Sequence, residues 1–246
     1  MFSRSDGRPP LPALRLGDVL LLLALFVALS VGLGLAQGRF AEIMDARLPE
    51  GLSQGGLVPI ILLQSALTIL LVYILIVWRR GIPWAALGFR RAERRWYRLA
   101  IAGGLACVPL VALSRLLFEP LLEDSFVNPQ LEVLGAGGFS LSNLLILLVL
   151  VGVLAPVTEE LLFRGLLYPL LRRWMPFLFA GLLSALCFAA LHWIPPLVPA
   201  FTLMGLVLAA AREWSGSVWP PIIIHSLFNS LNLVTFFAAL GMGQAG

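Results

Sequence analysis

The chain has 246 residues, of which 60% are hydrophobic and only 12% are charged. Soluble globular domains have roughly 45–50% apolar and about 25% charged residues, so this composition excludes an ordinary soluble domain and indicates a polytopic membrane protein. The net charge of +4 comes from arginine, because the sequence contains no lysine. The arginines cluster in short loops without interleaved aromatic side chains, so no nucleic-acid partner is expected.

Seven apolar segments are each near the roughly 20 residues that a helix needs to cross a bilayer. In chain order they are residues 17–36, 57–78, 99–118, 141–162, 177–193, 197–213 and 218–240. The first is too long for the apolar run of about 7–15 residues in a signal peptide, so an uncleaved anchor is expected. The fifth and sixth are short and are separated by IPPLVP, which allows a tight hairpin that does not cross fully.

The predicted fold class is therefore all-α: a polytopic transmembrane helical bundle of about seven spans, with an eighth helix left open, around a polar intramembrane cavity. Residues 1–246 are expected to form a single integral membrane domain. Residues 141–240 carry the polar motifs described below and form the candidate catalytic region.

The distribution of arginine predicts the orientation. Three alternate segments are rich in arginine, namely the N-terminus and the loops after the second and fourth spans: Arg4, Arg8, Arg15, Arg79, Arg80, Arg90, Arg91, Arg94, Arg95, Arg98, Arg172 and Arg173. The loop after the third span has only acidic charges: Glu119, Glu123, Asp124 and Glu132. The positive-inside rule then predicts a cytoplasmic N-terminus and an external C-terminus, with Glu159 at the cytoplasmic end of its span. The expected location is the plasma membrane of a bacterium.

Ionisable residues inside apolar segments are few, and each is costly there unless it has a function or a partner. EELLFR ends one segment at Glu159–Arg164, and the chain's two histidines, His192 and His225, end two others. Asn229 lies one helical turn after His225. A single histidine near a span end is usually interfacial, but polar groups on three helices at one depth predict a shared site.

Helical geometry separates the two glutamates, because neighbouring residues point about 100° apart. Glu160 and Arg164 are four residues apart in the favourable order for an ion pair on one face, so a structural role is expected for them. Glu159 is left without a local partner. The same spacing places Phe188 beside His192 and His225 beside Asn229, with Phe188 as packing.

A desolvated carboxylate beside a histidine can activate a water molecule, and an imidazole and an amide one turn apart can donate hydrogen bonds to an oxyanion. This combination suits amide hydrolysis.

Three nearby serines are expected to pack helices rather than act as nucleophiles: Ser184, Ser226 and Ser230. Cys107 and Cys187 are expected to be small buried residues, although one disulfide is possible on sequence grounds.

Together, EELLFRG (159–165), FAALH (188–192) and HSLFN (225–229) resemble the ordered motifs EExxxR, FxxxH and HxxxN of the CAAX-protease and bacteriocin-processing (CPBP or ABI) family. The motif positions show no departure, and WPPIII before the last motif is also typical. The resemblance covers roughly the C-terminal third of the chain. Relatives of the eukaryotic type have eight membrane helices, one more than the spans counted here.

The resemblance implies an intramembrane glutamic endopeptidase similar to the type II CAAX prenyl endopeptidase. It implies that Glu159 and His192 activate the water, that His225 and Asn229 hold the oxyanion, and that Glu160 and Arg164 support the site. It also implies a membrane-associated substrate, prenylated CAAX proteins in the eponymous enzymes. Glu159, His192 and His225 could formally ligate zinc, but no HExxH helix is present, so a mechanism without a metal or other cofactor is favoured.

Two other classes of function remain open. A non-catalytic scaffold or bacteriocin-immunity protein could keep the fold and its polar network for stability. A proton-coupled carrier could use the acidic pair as a relay, although the chain lacks the repeat or paired broken helices of many carriers. The sequence predicts neither the oligomeric state nor the substrate.

Overall fold

A computed structural model describes residues 14–45, 57–118, 128–135 and 140–244. Within these ranges the regular structure is helical, and the main helices are numbered here α1 to α9. They are α1 (Leu16–Leu35), α2 (Gln37–Asp45), α3 (Leu57–Trp78), α4 (Arg94–Phe118), α5 (Pro129–Gly135), α6 (Leu141–Leu171), α7 (Phe177–Ala190), α8 (Val198–Ser215) and α9 (Trp219–Gln244). The fold class is a polytopic helical bundle, as the sequence predicts.

Six of these helices are long and apolar enough to cross a membrane: α1, α3, α4, α6, α8 with the short turn before it, and α9. The remaining predicted span, 177–193, contains α7, which has 14 residues. At 1.5 Å per residue α7 is about 21 Å long, short of the roughly 30 Å hydrocarbon layer. Helices α7 and α8 form a hairpin joined by a 3₁₀ turn at Pro195–Leu197.

Glycine permits the close packing of this hairpin. A Cβ on Gly205 would lie only 2.7 Å from Cβ of Ala185 and 2.9 Å from its Cα. The two helix backbones therefore approach each other more closely than any larger residue allows. Gly181 and Ala209 continue the same seam at ordinary contact distance.

One end of the bundle carries most of the described arginines and is called here the arginine face. It comprises Arg15, Arg79, Arg80, Arg90, Arg91, Arg94, Arg95, Arg98, Arg172 and Arg173. Contacts between segments join these ends: Arg80 forms a two-pronged ion pair with Asp18 at 2.7 and 2.9 Å, and Arg173 donates to the Leu14 carbonyl. Arg90 donates to the Gly216 carbonyl at 2.8 Å. The predicted basic residues Arg4 and Arg8 and the acidic residues at 119–124 lie outside the described residues, as does the side chain of Glu132.

Helix α6 passes through the centre of the bundle and is not a regular α-helix. It contains two π-helical turns, Leu150–Leu154 and Leu161–Leu167, on either side of the segment that carries the glutamates. Every residue from Leu161 to Leu171 is buried, and Leu166 and Leu170 are fully so. Turns of this kind are frequent at functional sites, because they leave backbone carbonyls free and shift the side chains that follow.

Candidate active site

Side chains from all three motifs line one cavity of about 650 Å³. Helix α6 contributes Glu159, the chain just after α7 contributes His192, and α9 contributes His225 and Asn229. Phe188 also lines it. The four candidate catalytic residues span 71 positions of the sequence and line the same cavity. The sequence predicts such a shared site.

The first motif contains a fully buried ion pair. Nη1 of Arg164 donates to Oε1 of Glu160 at 3.0 Å, and both side chains are 0% exposed. Nη2 of Arg164 donates to the Gly205 carbonyl at 2.9 Å, and the guanidinium stands 4.9 Å from the centre of the Phe188 ring. A charge removed from water this completely needs such partners on several sides, so the pair fixes α6 against α8.

Glu160 has a second partner that sequence spacing does not reveal. Nδ1 of His225 lies 3.0 Å from Oε1 of Glu160. A carboxylate only accepts hydrogen bonds, so Nδ1 carries the proton and donates. Nε2 of the same ring then points toward Glu159, whose Oε2 is 3.7 Å away. Glu160 thereby sets both the tautomer and the direction of His225.

Glu159 differs from Glu160 in its exposure and in its partners, since the two hydrogen bonds to Oε1 of Glu160 have no counterpart at Glu159 among the described residues. Its side chain is 23% exposed, against 0% for Glu160. Its Oε2 atom has no hydrogen-bond partner among the described residues. This carboxylate therefore borders the cavity and remains able to accept a proton or a hydrogen bond there.

His192 is held by the helix that precedes it. Its Nδ1 lies 2.9 Å from the Phe188 carbonyl and donates to it, which leaves Nε2 of the neutral ring as an acceptor. The ring packs between two phenylalanines, with centroids 4.8 Å from Phe188 and 4.4 Å from Phe201. The next residue, Trp193, has a φ of 57°, an uncommon left-handed conformation for a bulky side chain.

Asn229 is oriented by the first π-helical turn of α6. Its Nδ2 donates to the Val151 carbonyl at 3.1 Å. An amide nitrogen carries two protons, so one remains for a group in the cavity. The approach of α9 to this turn is close, because a Cβ on Gly152 would lie 2.6 Å from Oγ of Ser230.

Several supporting residues carry no recognisable signal in the sequence. They are the Gly205 and Val151 carbonyls, Phe201, and Arg212, whose Nε donates to the Arg164 carbonyl at 3.0 Å. Near the end of α6, Tyr168 and Arg172 both hydrogen-bond to Glu213 of α8. Only the apolar setting of Arg212 and Glu213 hints at such partners, since buried charges are usually paired.

The cysteines, the serines near the motifs and a possible metal site can also be compared with the sequence predictions. Cys107 and Cys187 are free thiols; Cys107 is buried as expected, whereas Cys187 is only half-buried, so that part of the prediction is wrong. Ser184 is fully buried, and Ser230 lies at the contact with Gly152. In the described part of the chain no three His, Cys, Asp or Glu side chains form a group that could hold a metal ion. The absence of a cofactor remains a prediction.

Residues 141–231 match a family model described as "Type II CAAX prenyl endopeptidase Rce1-like". This match runs from the start of α6 to the middle of α9 and so includes every motif residue above. The chain is also similar to "Putative membrane peptidase YdiL" of Bacillus subtilis (strain 168), with 26% identity over 89 residues. The matched part is 36% of each protein, so the chain spans about a third of that relative's length. No solved structure matches the chain.

Proposed function

We propose that the chain is an intramembrane endopeptidase that hydrolyses a peptide bond in a membrane-associated protein or peptide. The observation that carries this proposal is the convergence of Glu159, His192, His225 and Asn229 on one cavity within a helical bundle. The Rce1-like match supports a peptidase, and the similarity to YdiL agrees with it. The substrate and the individual residue roles belong to the proposal.

In the proposed reaction Glu159 acts as the general base. Its unpartnered Oε2 accepts a proton from a water molecule, while Nε2 of His192 accepts that water's second hydrogen bond. The water oxygen attacks the peptide carbonyl carbon. When the C–N bond breaks, Glu159 returns the proton to the leaving amine. Base catalysis of this kind contributes about 10²- to 10⁴-fold to a rate.

The negative charge that forms on the peptide oxygen is stabilised from α9. Asn229 donates its second Nδ2 proton, and His225 donates from Nε2 when its ring is doubly protonated, because Nδ1 is engaged by Glu160. In that state two carboxylates, Glu159 and Glu160, balance the two cations, Arg164 and His225. Loss of one oxyanion donor is expected to slow turnover by about 10²- to 10³-fold.

The proposed placement in the membrane follows from the arginine face. By the positive-inside rule this face, with the N-terminus, lies in the cytoplasm. Glu159 is twelve residues before the end of α6 at Leu171, or about 18 Å along the helix, and about 27 Å from its start. The glutamates are therefore nearer the cytoplasmic side.

A comparison of protein termini in membranes tests the proposal. Cells that carry the wild-type chain are compared with cells that carry Glu159→Gln at equal abundance, and with the control Glu42→Gln, an exposed glutamate on α2. We expect termini that occur with the wild type and Glu42→Gln and vanish with Glu159→Gln. Identical termini in all three, with the mutant rescuing any phenotype of a deletion, would leave a scaffold or immunity protein as the explanation.

A further inference from the structure

The cavity extends from the catalytic groups toward the end of the bundle opposite the arginine face. At its far end it is lined by Gln37, which follows α1, by Leu57, the first residue of α3, and by Asn128 and Gln130 beside α5. Helix α3 has 22 residues and ends next to Arg79. Leu57 therefore lies about 32 Å along the helix from the arginine face.

The catalytic groups sit at the inner end of this cavity. Helix α9 starts at the arginine face with Trp219, so His225 lies about 9 Å, Asn229 about 15 Å and Asn232 about 20 Å along it. All three line the cavity. The cavity thus continues for at least one further helical turn beyond Asn229, away from the arginines.

The side toward the arginine face is closed by packed side chains. Leu161, Leu162 and Phe163, directly after the glutamates, are each 1% exposed. Leu87 and Val218, in the loops of the arginine face, are 0% exposed, and the Val218 amide donates to the Gly88 carbonyl at 2.9 Å. A substrate moving from the arginine face would have to displace this whole layer.

We infer that the substrate reaches the catalytic groups from the arginine-poor face, through the mouth formed by Gln37, Leu57, Asn128 and Gln130. This inference rests on the proposed function for what the cavity binds. With the arginine face in the cytoplasm, the mouth opens to the outside, so the substrate class is a membrane or exported protein with an external segment. A cytoplasmic prenylated tail does not fit that side.

The lining further restricts the substrate segment. Among the described residues, the side chains that line the cavity are uncharged apart from Glu159 and the two histidines, and the amides Gln37, Asn128 and Gln130 stand at the mouth. An apolar segment whose backbone groups can hydrogen-bond to the amides therefore fits this lining.

Cysteine labelling tests the side of access without requiring activity. In a background with Cys107→Ala and Cys187→Ala, single cysteines are introduced at the mouth (Gln130→Cys), in the cavity wall (Asn232→Cys) and on the arginine face (Arg91→Cys). Intact cells are treated with a small, charged, membrane-impermeant thiol reagent, and the labelling is compared with that of permeabilised cells. Leu131→Cys and Ser65→Cys replace a mouth or wall variant that does not accumulate.

We expect the Gln130→Cys and Asn232→Cys variants to react in intact cells, and the Arg91→Cys variant to react at least tenfold faster after permeabilisation. Reaction at the mouth without reaction at Asn232→Cys would overturn the inference, because the cavity would not be open to that face. Reaction of Arg91→Cys in intact cells would overturn the external side. Failure of the peptidase proposal would change none of these labelling results, so the two can be judged separately.

Discussion

At the scale of single residues, the two adjacent glutamates have opposite environments. Glu160 contacts Arg164 and His225 and is removed from solvent, whereas Glu159 faces the cavity. Neighbouring residues of a helix point about 100° apart, so two adjacent glutamates face different surroundings. Glu160 is therefore held by two buried partners, and Glu159 borders the cavity, in agreement with the roles proposed for them.

The buried pair gives a prediction about stability. Glu160→Gln or Arg164→Met leaves one buried charge without its partner, so each is expected to lower the free energy of unfolding by about 3–5 kcal/mol. The isosteric control Glu159→Gln is expected to change it by less than about 1 kcal/mol, since Glu159 has few partners to lose. Denaturant titrations in detergent micelles measure all three. Equal losses for Glu159→Gln and Glu160→Gln would contradict the division of roles.

The double variant Glu160→Gln/Arg164→Met provides a further check. Removing both charges avoids an uncompensated ion, so its loss of stability is expected to be smaller than the sum of the two single losses, by about 1–3 kcal/mol. Additive losses would mean that the pair does not act as a unit.

Trp193 gives a second prediction at this scale. Its left-handed backbone is unfavourable for any residue with a Cβ by about 1–2 kcal/mol. The side chain is 67% exposed, so the backbone can be tested by comparing two small replacements. We expect Trp193→Gly to be about 1 kcal/mol more stable than Trp193→Ala in thermal or denaturant unfolding. The opposite order, normal for helix interiors, would show that the left-handed turn is not maintained.

At the scale of helices, the contact between α7 and α8 determines where Arg164 finds its carbonyl partner. Gly205→Ala would place a methyl group against the Ala185 backbone and 3.3 Å from Nη2 of Arg164. Neither helix can move far in a packed core, so we expect a loss of about 1–3 kcal/mol and a lower turnover. Unfolding measurements with a cleavage assay test this.

The control for that substitution is Gly32→Ala in α1. Nothing lies within 4 Å of the added Cβ there. Alanine is the better helix former, so stability is expected to stay constant or rise by up to about 1 kcal/mol. Equal effects of the two substitutions would show that the Gly205 contact is not tight.

These helices also show which parts of the structure the sequence can predict. The Glu160–Arg164 pair follows from spacing within one helix, and the approach of Phe188 to His192 follows from the same spacing across the end of α7; both are present. The bond between Glu160 and His225 joins two helices 65 positions apart, so it depends on their relative rotation. The Val151 carbonyl is an acceptor because of a π-helical turn, which no composition signal marks.

At the scale of the whole molecule, most of the described arginines lie at one end of the bundle. The exposed arginines Arg91, Arg94 and Arg98 form no ion pair with the described residues. They therefore contribute positive electrostatic potential at this face rather than local ion pairs. Such residues set membrane orientation, because translocating them is unfavourable. The fold itself does not depend on them.

This separation predicts a change of orientation without a change of fold. In the wild type, an alkaline phosphatase fused after residue 246 is expected to be active, because α9 starts at the arginine face and ends on the other side. Replacing Arg91, Arg94, Arg95 and Arg98 with glutamine is expected to lower that activity severalfold and to increase the fluorescence of a matched green fluorescent protein fusion. The control replaces Arg39, an exposed arginine of α2, and should leave both reporters unchanged.

The π-helical turns of α6 have a consequence for how this helix can vary in length. A turn with hydrogen bonds between residues five apart holds one residue more than an α-helical turn, so each π turn contains one extra residue. Deleting one residue within Leu161–Leu167 can be absorbed by converting this π turn into an α-helical turn, which leaves the direction of the rest of α6 nearly unchanged. The same deletion in a regular helix would turn everything after it by about 100°. Tyr168 and Arg172 would therefore still face Glu213. The two π turns change the rotation of α6 along its length. One continuous helix can therefore direct Glu159 to the cavity and Tyr168 and Arg172 to α8.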